Sequence, residues 1–445
     1  MSELEALVTA IPGPRSRALA ADLARYEAPG VTYLADDYPV FWERAHGALV
    51  EDVDGNRYLD LTSAFGVAAS GHTNDRVAAA VAEQARRLIH GMGDVHPTEV
   101  RTRLLARLAE LTPGALRKTY LATSGSEAIE FALKTALLAS GKPRVLAYRG
   151  AYHGLSLGAL EVAGIEKFRD PFAPLVADRA TFLPYPGAGT SASAALEAVR
   201  AALAADEAIG AIVAEPIQGR GGVIVPPDGF LPGLRALCDE RAILLILDEI
   251  YTGFGRTGTM FACEREGVVP DLLCLGKALG GGVPLAATVG TPQAMDAWPV
   301  SAGEAIHTST FLGNPLACAA ALANLDELVR LDVVGRVRAL EGTLRVRLEA
   351  LRAFGVREVR GRGFLWALEL GDPALANRVV VRGLASGLIL LQSGPSGSSV
   401  TIAPPLVIED VQLVRALDLL EQCVRQVAAT VEPRGRSTPP GGEIE

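Results

Sequence analysis

The sequence predicts an α/β fold in which a large domain with a mainly parallel sheet is followed by a smaller α+β domain. Between about residues 62 and 324, short apolar runs without polar alternation are separated by stretches with helical periodicity. Strands that are apolar on both faces and are connected by helices are typical of a parallel sheet covered on both sides. Beyond residue 324 the pattern changes to a helix-rich stretch, several strands and a closing helix. A chain of 445 residues is long enough for two or three such units.

The N-terminal segment, residues 1–61, is predicted to join the smaller domain. A helix is expected from Ser16 to Arg25. A hairpin is expected over residues 48–60, because Asp54-Gly55-Asn56 places turn-forming residues between two alternating runs.

The large domain is predicted over residues 62–324. Residues 127–138 and 231–241 are expected to be helices, because their apolar residues recur with helical period. The apolar runs expected to be strands are residues 119–122, 144–148, 211–214, 243–247 and 272–275.

The smaller domain is predicted over residues 325–430. It is expected to contain a strand region from Val359 to Leu370, a further strand pair and a closing helix from Ile408 to about Ala428. Residues 431–445 are rich in proline, glycine and charge, and this composition predicts a disordered tail.

Composition and charge exclude several classes of function. A formal charge of −9, without a basic run, argues against a nucleic-acid partner. The five cysteines are scattered and do not cluster with histidines, which predicts reduced thiols and no metal site. The N-terminus carries acids where a signal peptide needs basic residues, and no apolar segment reaches the roughly 20 residues of a membrane span. The expected compartment is the cytoplasm, with no membrane partner.

Two charged residues stand at the ends of predicted buried strands. Lys277 follows the apolar run 272–275 and precedes a glycine-rich loop, while Asp248 closes the run 243–247. A lysine in a partly desolvated pocket has a lowered pKa and can form a Schiff base with a carbonyl compound. A carboxylate nearby can keep a pyridine nitrogen protonated, so the pair suits pyridoxal phosphate. The alternative for Asp248 is that it caps the following turn.

Polar residues follow three other predicted strands of the same domain. Gly125 and Ser126 open a helix, where free backbone N–H groups and the helix dipole favour a phosphate, although Ser126 could instead cap that helix. Glu215 ends another strand, and Tyr152 follows a third, where its ring could stack on a planar cofactor or serve only in packing. Open parallel sheets bind their ligands at the carboxyl ends of their strands, so these groups are expected to share one crevice.

Taken together, these segments resemble the class III pyridoxal-phosphate aminotransferases, which are fold-type-I enzymes. The resemblance runs from about Pro39 to Leu420 in the family's order. Its motifs are Asp52-Val-Asp-Gly-Asn56, Ser124-Gly-Ser-Glu127, Tyr152-His-Gly154, Glu215-Pro-Ile-Gln-Gly219, Asp248-Glu-Ile250 with Gly255-Arg-Thr-Gly258, Gly276-Lys-Ala-Leu279 and Thr310-Phe-Leu-Gly-Asn-Pro315.

The resemblance implies a seven-stranded, mainly parallel sheet and a role for each matching residue. Lys277 would carry the Schiff base and move the α-proton, and Asp248 would pair with the pyridinium nitrogen. Thr310 would reach the phosphate in the neighbouring subunit, which implies a homodimer with shared active sites and leaves open whether dimers pair into tetramers. The remaining cofactor contacts implied by the motifs are Gly125 and Ser126 at the phosphate, Tyr152 on the ring and Glu215 near the Asp248 side.

Four positions depart from the family pattern, three of them from its 4-aminobutyrate aminotransferase version. Leu155 and Thr401 stand where that version has arginines, and Arg220 stands where it has an acid. The usual pair of guanidinium clamps for dicarboxylates is therefore absent, which disfavours 4-aminobutyrate with glutamate as the second substrate. Arg220 becomes the candidate for a substrate carboxylate, unless it is a solvated loop residue, and Leu155 would form an apolar wall. Tyr251 replaces a glutamine common near the cofactor's phenolic oxygen, where its hydroxyl could take over that hydrogen bond or its ring could only pack.

The predicted activity is transfer of an amino group from an amino acid or amine to a keto acid. The alternative within the family is an amino-acid racemase or epimerase, in which the α-proton returns to the same carbon from the opposite face. The stretch from Glu215 to Leu231 is also similar to racemases of this group, and a racemase needs no dicarboxylate clamp. A non-catalytic scaffold or sensor is disfavoured, because Lys277 and Asp248 are both present.

Overall fold

The computed structural model describes residues 4–430, so the predicted disordered tail at 431–445 lies outside the described residues. Its helices lie on and between three sheets. The helices are Pro14–Tyr26, Asp75–Arg87, Glu99–Leu111, Gly125–Ser140, Leu157–Val162, Glu166–Arg169, Ala192–Ala205, Phe230–Arg241, Pro292–Met295, Pro315–Arg330, Val333–Glu349, Pro373–Leu384 and Asp410–Ala429. Short 3-10 segments span Asp170–Leu175, Ala262–Glu266, Lys277–Gly280 and Ala350–Phe354.

The N-terminal region forms a four-stranded sheet with a strand from the far end of the chain. Strands β1 (Trp42–His46), β2 (Leu49–Asp52) and β3 (Arg57–Asp60) are antiparallel, as the predicted hairpin requires. The fourth strand comes from the C-terminal region and pairs in parallel with β3. Immediately after β3, residues Ser63–Gly66 form a tight turn in which all four residues have positive φ angles.

The central sheet has seven strands, six of them parallel, which confirms the predicted α/β fold. Its strands are β4 (Lys118–Ala122), β5 (Arg144–Tyr148), β6 (Ala180–Leu183), β7 (Ile209–Ala214), β8 (Leu244–Asp248), β9 (Leu272–Leu275) and β10 (Ala286–Gly290), in the order β4-β10-β9-β8-β7-β5-β6. Every residue of β7, β8 and β9 is buried, because helices cover both faces of the sheet.

The sequence pattern missed two strands of this sheet. The β6 strand lies at an edge and all four of its residues are only partly buried, so its apolar signal is weak. The β10 strand is built of small residues, Ala286-Ala-Thr-Val-Gly290, and runs antiparallel to both of its neighbours. Small side chains carry little of the hydrophobic signal from which buried strands are recognised.

The C-terminal region contributes the remaining strands. The β11 (Glu358–Arg362) and β12 (Leu365–Glu369) strands form the hairpin expected near 359–370, and β13 (Leu388–Ile389) is the strand that pairs with β3. The β14 (Leu391–Ser393) and β15 (Ser399–Ile402) strands complete an antiparallel sheet in the order β11-β12-β15-β14. The domain limits at 61/62 and 324/325 stay predictions. Within residues 4–430, every helix is too short or too polar to cross a bilayer.

Candidate active site

A cavity of about 480 Å³ lies at the carboxyl edge of the central sheet. Asp248 is the last residue of β8, and Lys277 follows β9 by two residues. The structure brings ten of the eleven predicted site residues to this cavity: Gly125, Ser126, Tyr152, Leu155, Glu215, Arg220, Asp248, Tyr251, Lys277 and Thr401. Thr310, the eleventh, does not line the cavity of its own chain.

Lys277 has an unusual backbone and an unusual environment. Its φ angle is +39°, a left-handed conformation that is costly for a residue with a Cβ and that concentrates at functional sites. Burial lowers the pKa of its amine, and the charge of Arg220 lowers it further, while Asp248 and Glu215 act in the opposite direction. The net lowering favours the neutral amine, which is the nucleophilic form.

Asp248 is held by two hydrogen bonds in a buried setting. Its Oδ2 lies 2.7 Å from Nδ1 of His153, and its Oδ1 accepts a hydrogen bond of 3.0 Å from the backbone N–H of Ile250. Burial alone would lower the pKa of His153, but the hydrogen bond and charge of Asp248, together with Glu215, raise it overall. One oxygen of Asp248 therefore holds the following turn, as the capping alternative expects, while the carboxylate also borders the cavity; its pairing with a pyridine nitrogen stays a prediction.

Glu215 joins two loops at the edge of the sheet. Its two carboxylate oxygens accept backbone hydrogen bonds from Tyr152 at 3.0 Å and from Gly219 at 2.9 Å. Burial, together with the charge of Asp248, raises the pKa of Glu215 to about 7, although His153 and the two N–H donors oppose this. Glu215 therefore fixes the backbone next to Tyr152 and Arg220.

The start of the helix Gly125–Ser140 forms a small polar cradle. Ser124 caps this helix by accepting a hydrogen bond from the N–H of Glu127, so the suggestion that Ser126 is the cap is wrong. Instead, Ser126 Oγ accepts a hydrogen bond of 3.2 Å from the N–H of Leu155. The two loops approach closely because residue 154 is a glycine: with a φ of +119°, a Cβ there would lie 1.9 Å from Ser126 Oγ.

Arg220 lies against two aromatic rings at the cavity wall. Its guanidinium carbon is 5.7 Å from the ring centre of Tyr152 and 5.6 Å from that of Phe168, and these rings meet edge to face. Arg220 is the only arginine among the described residues that line the cavity. Cation–π contacts with these two rings hold the side chain without neutralising its charge, so its donors stay available.

The wall near the C-terminal strands is neutral. Thr401 Oγ1 donates a hydrogen bond of 2.6 Å to Ser393 Oγ, and both residues are buried. Leu155 contributes an apolar surface and is 48% exposed at the cavity. Around Arg220, this part of the cavity therefore offers hydroxyls and hydrocarbon rather than a second cation.

The sequence pattern did not mark four cavity residues, Phe65, Phe168, Leu391 and Ser393, and it gave no role to His153. His153 belongs to a recognised motif, but its bond to Asp248 joins residues 95 positions apart. Phe65 reaches the cavity from the left-handed turn Ser63–Gly66, and Phe168 from a short helix. No local pattern marks either phenylalanine as a cavity residue.

Comparison with known proteins places these features in a family. The family model described as aminotransferase class-III matches residues 33–424. The 4-aminobutyrate aminotransferase of Mycobacterium tuberculosis is 38% identical over 441 residues, covering 93% of this chain and 96% of that protein. The putrescine aminotransferase of Pectobacterium atrosepticum is 39% identical over 414 residues, which cover 90% of this chain and 86% of that protein. Among solved structures, an (S)-enantioselective omega-transaminase from Thermomicrobium roseum matches with a TM-score of 0.86 and 30% identity. The match covers 94% of this chain and 99% of that structure's chain.

Proposed function

This chain belongs to the class III aminotransferases, which are pyridoxal-phosphate enzymes, and we propose that the cavity at Lys277 is its active site. The observation that carries the proposal is the meeting of Lys277, Asp248 and the Ser126 cradle in one cavity. These residues come from three different strand ends of the central sheet.

The residues present fit pyridoxal phosphate. The cradle formed by the helix start at Gly125 and Ser126 offers backbone N–H groups to a phosphate, and the Gly154 loop approaches it so closely that a Cβ would clash. The Asp248 carboxylate, fixed by His153, provides an anion for a protonated ring nitrogen. Tyr152 offers a ring face beside the same cavity.

Each of these side chains has a defined task in amino-group transfer. When bound, pyridoxal phosphate supplies an aldehyde for the amine and an electron-withdrawing ring. The neutral amine of Lys277 would hold the cofactor covalently and would accept the proton from the substrate's α-carbon. Asp248 would favour the protonated ring nitrogen, and His153 holds Asp248 in place.

We further propose that the substrates carry a single carboxylate, which Arg220 binds. A guanidinium that borders the cavity beside two rings matches a carboxylate through paired hydrogen bonds. The cavity wall formed by the C-terminal strands contains the neutral pair Thr401 and Ser393, which gives no strong site for the second carboxylate of glutamate. Monocarboxylic keto acids such as pyruvate should therefore be better acceptors than 2-oxoglutarate.

We propose that two chains form a homodimer with shared active sites. Thr310 is exposed and away from its own chain's cavity, as a residue serving a partner would be. Large apolar side chains next to it in space or sequence are also exposed: Ile89 at 59%, Met92 at 57% and Phe311 at 57%. Phe311 packs against His90 with ring centres 5.2 Å apart, so these residues form one apolar surface that a second copy could cover. The cytoplasm is the proposed compartment, and pairing of dimers into tetramers stays an open alternative.

The test is a half-reaction in the absence of keto acid. We expect the cofactor's absorbance band to change when an amino donor is added, with release of one keto product per site, and to recover when a keto acid follows. Lys277→Ala should lack the covalent link and show no turnover. Continuous formation of the opposite enantiomer of the donor, without any keto acid, would instead support the racemase alternative. The relatives reported above carry aminotransferase or transaminase names.

A further inference from the structure

The ring of Tyr251 occupies a slot formed by two glycines. A Cβ at Gly66 would lie 2.4 Å from one edge of the ring, and a Cβ at Gly219 would lie 2.3 Å from the other. Any larger residue at either position would displace the ring. The ring is therefore held from both edges by backbone.

One face of this ring contacts the amine of Lys277. The Nζ atom of Lys277 lies 4.8 Å from the ring centre, within the range of a cation–π contact. The same glycine that bounds the slot also approaches the lysine, since a Cβ at Gly66 would be 3.7 Å from Lys277 Cδ. The slot thus fixes the position of the ring relative to the lysine chain.

The hydroxyl of Tyr251 does not hydrogen-bond to Lys277. It is fully buried and has no hydrogen-bond partner among the described residues. Burial, with a smaller contribution from Asp60, raises its pKa to about 12 despite the positive charges of Arg256 and Arg220. The contact between Tyr251 and Lys277 is therefore made by the ring and not by a hydrogen bond of the hydroxyl. What Tyr251 presents to the site is its ring.

We propose that Tyr251 is a positioning residue whose ring face orients the Lys277 amine and stabilises the ammonium that forms when Lys277 takes a proton. The inference rests on the proposed function, in which Lys277 moves the substrate's α-proton. Without such a surface, a protonated lysine in this pocket would lose its hydration and receive little in return.

The charged groups around Lys277 do not by themselves offset the cost of burying its ammonium form. Asp248 and Glu215 favour the ammonium, whereas burial and Arg220 disfavour it, and the net effect lowers the pKa of the amine. The two carboxylates are occupied by other donors, Asp248 by His153 and Ile250, and Glu215 by Tyr152 and Gly219. The Tyr251 ring is the neutral surface placed against the amine itself.

The test compares Tyr251→Phe, which keeps the ring, with Tyr251→Leu, which removes it. In the full-length protein without cofactor, the pH dependence of Lys277 acylation gives the pKa of the amine. We expect Tyr251→Phe to match the unsubstituted protein and Tyr251→Leu to lower this pKa by roughly one unit, the size of a desolvated cation–π contact. With cofactor, Tyr251→Leu should lower kcat several-fold with little change in KM for the donor.

The proposal is overturned if Tyr251→Leu leaves the pKa of Lys277 unchanged, or if Tyr251→Phe lowers it equally, which would assign the effect to the hydroxyl. Tyr251→Met, with a more adaptable side chain, should lower the pKa of Lys277 as Tyr251→Leu does. If the melting temperature of Tyr251→Met equals that of Tyr251→Phe, misfolding is excluded as the cause. Failure of the proposed function would be seen separately, as a covalent cofactor link that persists in Lys277→Ala.

Discussion

His153 Nδ1 and Asp248 Oδ2 lie 2.7 Å apart, and both side chains are buried. This bond ties the loop after β5 to the end of β8 and sets the direction in which the carboxylate points. A carboxylate oriented by a neighbouring donor is a more effective partner for a charged ring nitrogen than a mobile one.

Replacement of His153 by phenylalanine should weaken both cofactor retention and turnover. The variant loses a hydrogen bond to a charged group, which contributes about 1.5–3 kcal/mol. We therefore expect cofactor affinity and kcat each to decrease by roughly 10–100-fold. Cofactor affinity by equilibrium dialysis and kcat with a saturating donor would measure this. His153→Gln, which can still donate a hydrogen bond to Asp248, is the matched control. Its cofactor affinity and kcat should lie between those of the unsubstituted protein and His153→Phe. Equal activity of all three proteins would contradict the role given to His153.

Gly154→Ala should impair phosphate binding. The added methyl group would collide with Ser126 Oγ, and the φ of +119° is unfavourable for alanine. We expect at least tenfold weaker binding of the cofactor and a lower melting temperature of the protein without cofactor. Gly141→Ala provides the control, because this glycine caps the same helix at its other end with φ +69° and open space around it. If the two variants bound the cofactor equally well, the cradle would not be the phosphate site.

Arg220→Gln should raise KM for carboxylate substrates without affecting amines that lack a carboxylate. Loss of a charge-assisted hydrogen bond predicts an increase of about 10–100-fold for a donor such as alanine and for pyruvate. A hydrophobic amine without a carboxylate, tested as donor, controls for damage to the cavity. Unchanged kinetics for both donors would place Arg220 outside the binding site.

Glu215 makes stability depend on pH in a defined direction. Its pKa of about 7 in the folded protein lies above its ordinary value, so the folded state binds this proton more tightly than the unfolded state. Its contribution to stability is present at low pH and is lost as the pH rises through about 7. Relative to Glu215→Gln, which does not titrate, the free energy of unfolding of the unsubstituted protein should fall by about 2–3 kcal/mol between pH 5 and 8. Denaturant unfolding without cofactor at several pH values measures this difference, and a difference that does not vary with pH would refute it.

Mixed dimers can test whether Thr310 serves the partner's site. Neither Lys277→Ala nor Thr310→Ala homodimers should have a complete site. A dimer of one chain of each kind should have one, because the chain that retains Lys277 receives Thr310 from the other. We therefore expect the mixed dimer to regain cofactor affinity at half of its sites, measured by titration of tagged, purified mixed dimers. A mixed dimer no better than the average of its parents would mean that Thr310 acts within its own chain.

The central sheet and the main site residues could be predicted because their signals are local. Apolar runs that end in Asp248, or lie two residues before Lys277, mark the strand ends that hold the chemistry. The partners of those residues could not be predicted in the same way, since His153 approaches Asp248 only after the strands have assembled. The position of the Tyr251 ring depends on Gly66 and Gly219, which are far apart in the chain. The strand at Ala286–Gly290 escaped recognition because its side chains are small.

The cavity draws on residues from near both ends of the chain, from Phe65 to Thr401. A polypeptide emerging from the ribosome presents Lys277 and Asp248 well before β14 and β15 are made. The complete cavity is thus tied to completion of synthesis, and a chain truncated before residue 391 would keep Lys277 but lose the wall formed by Leu391, Ser393 and Thr401.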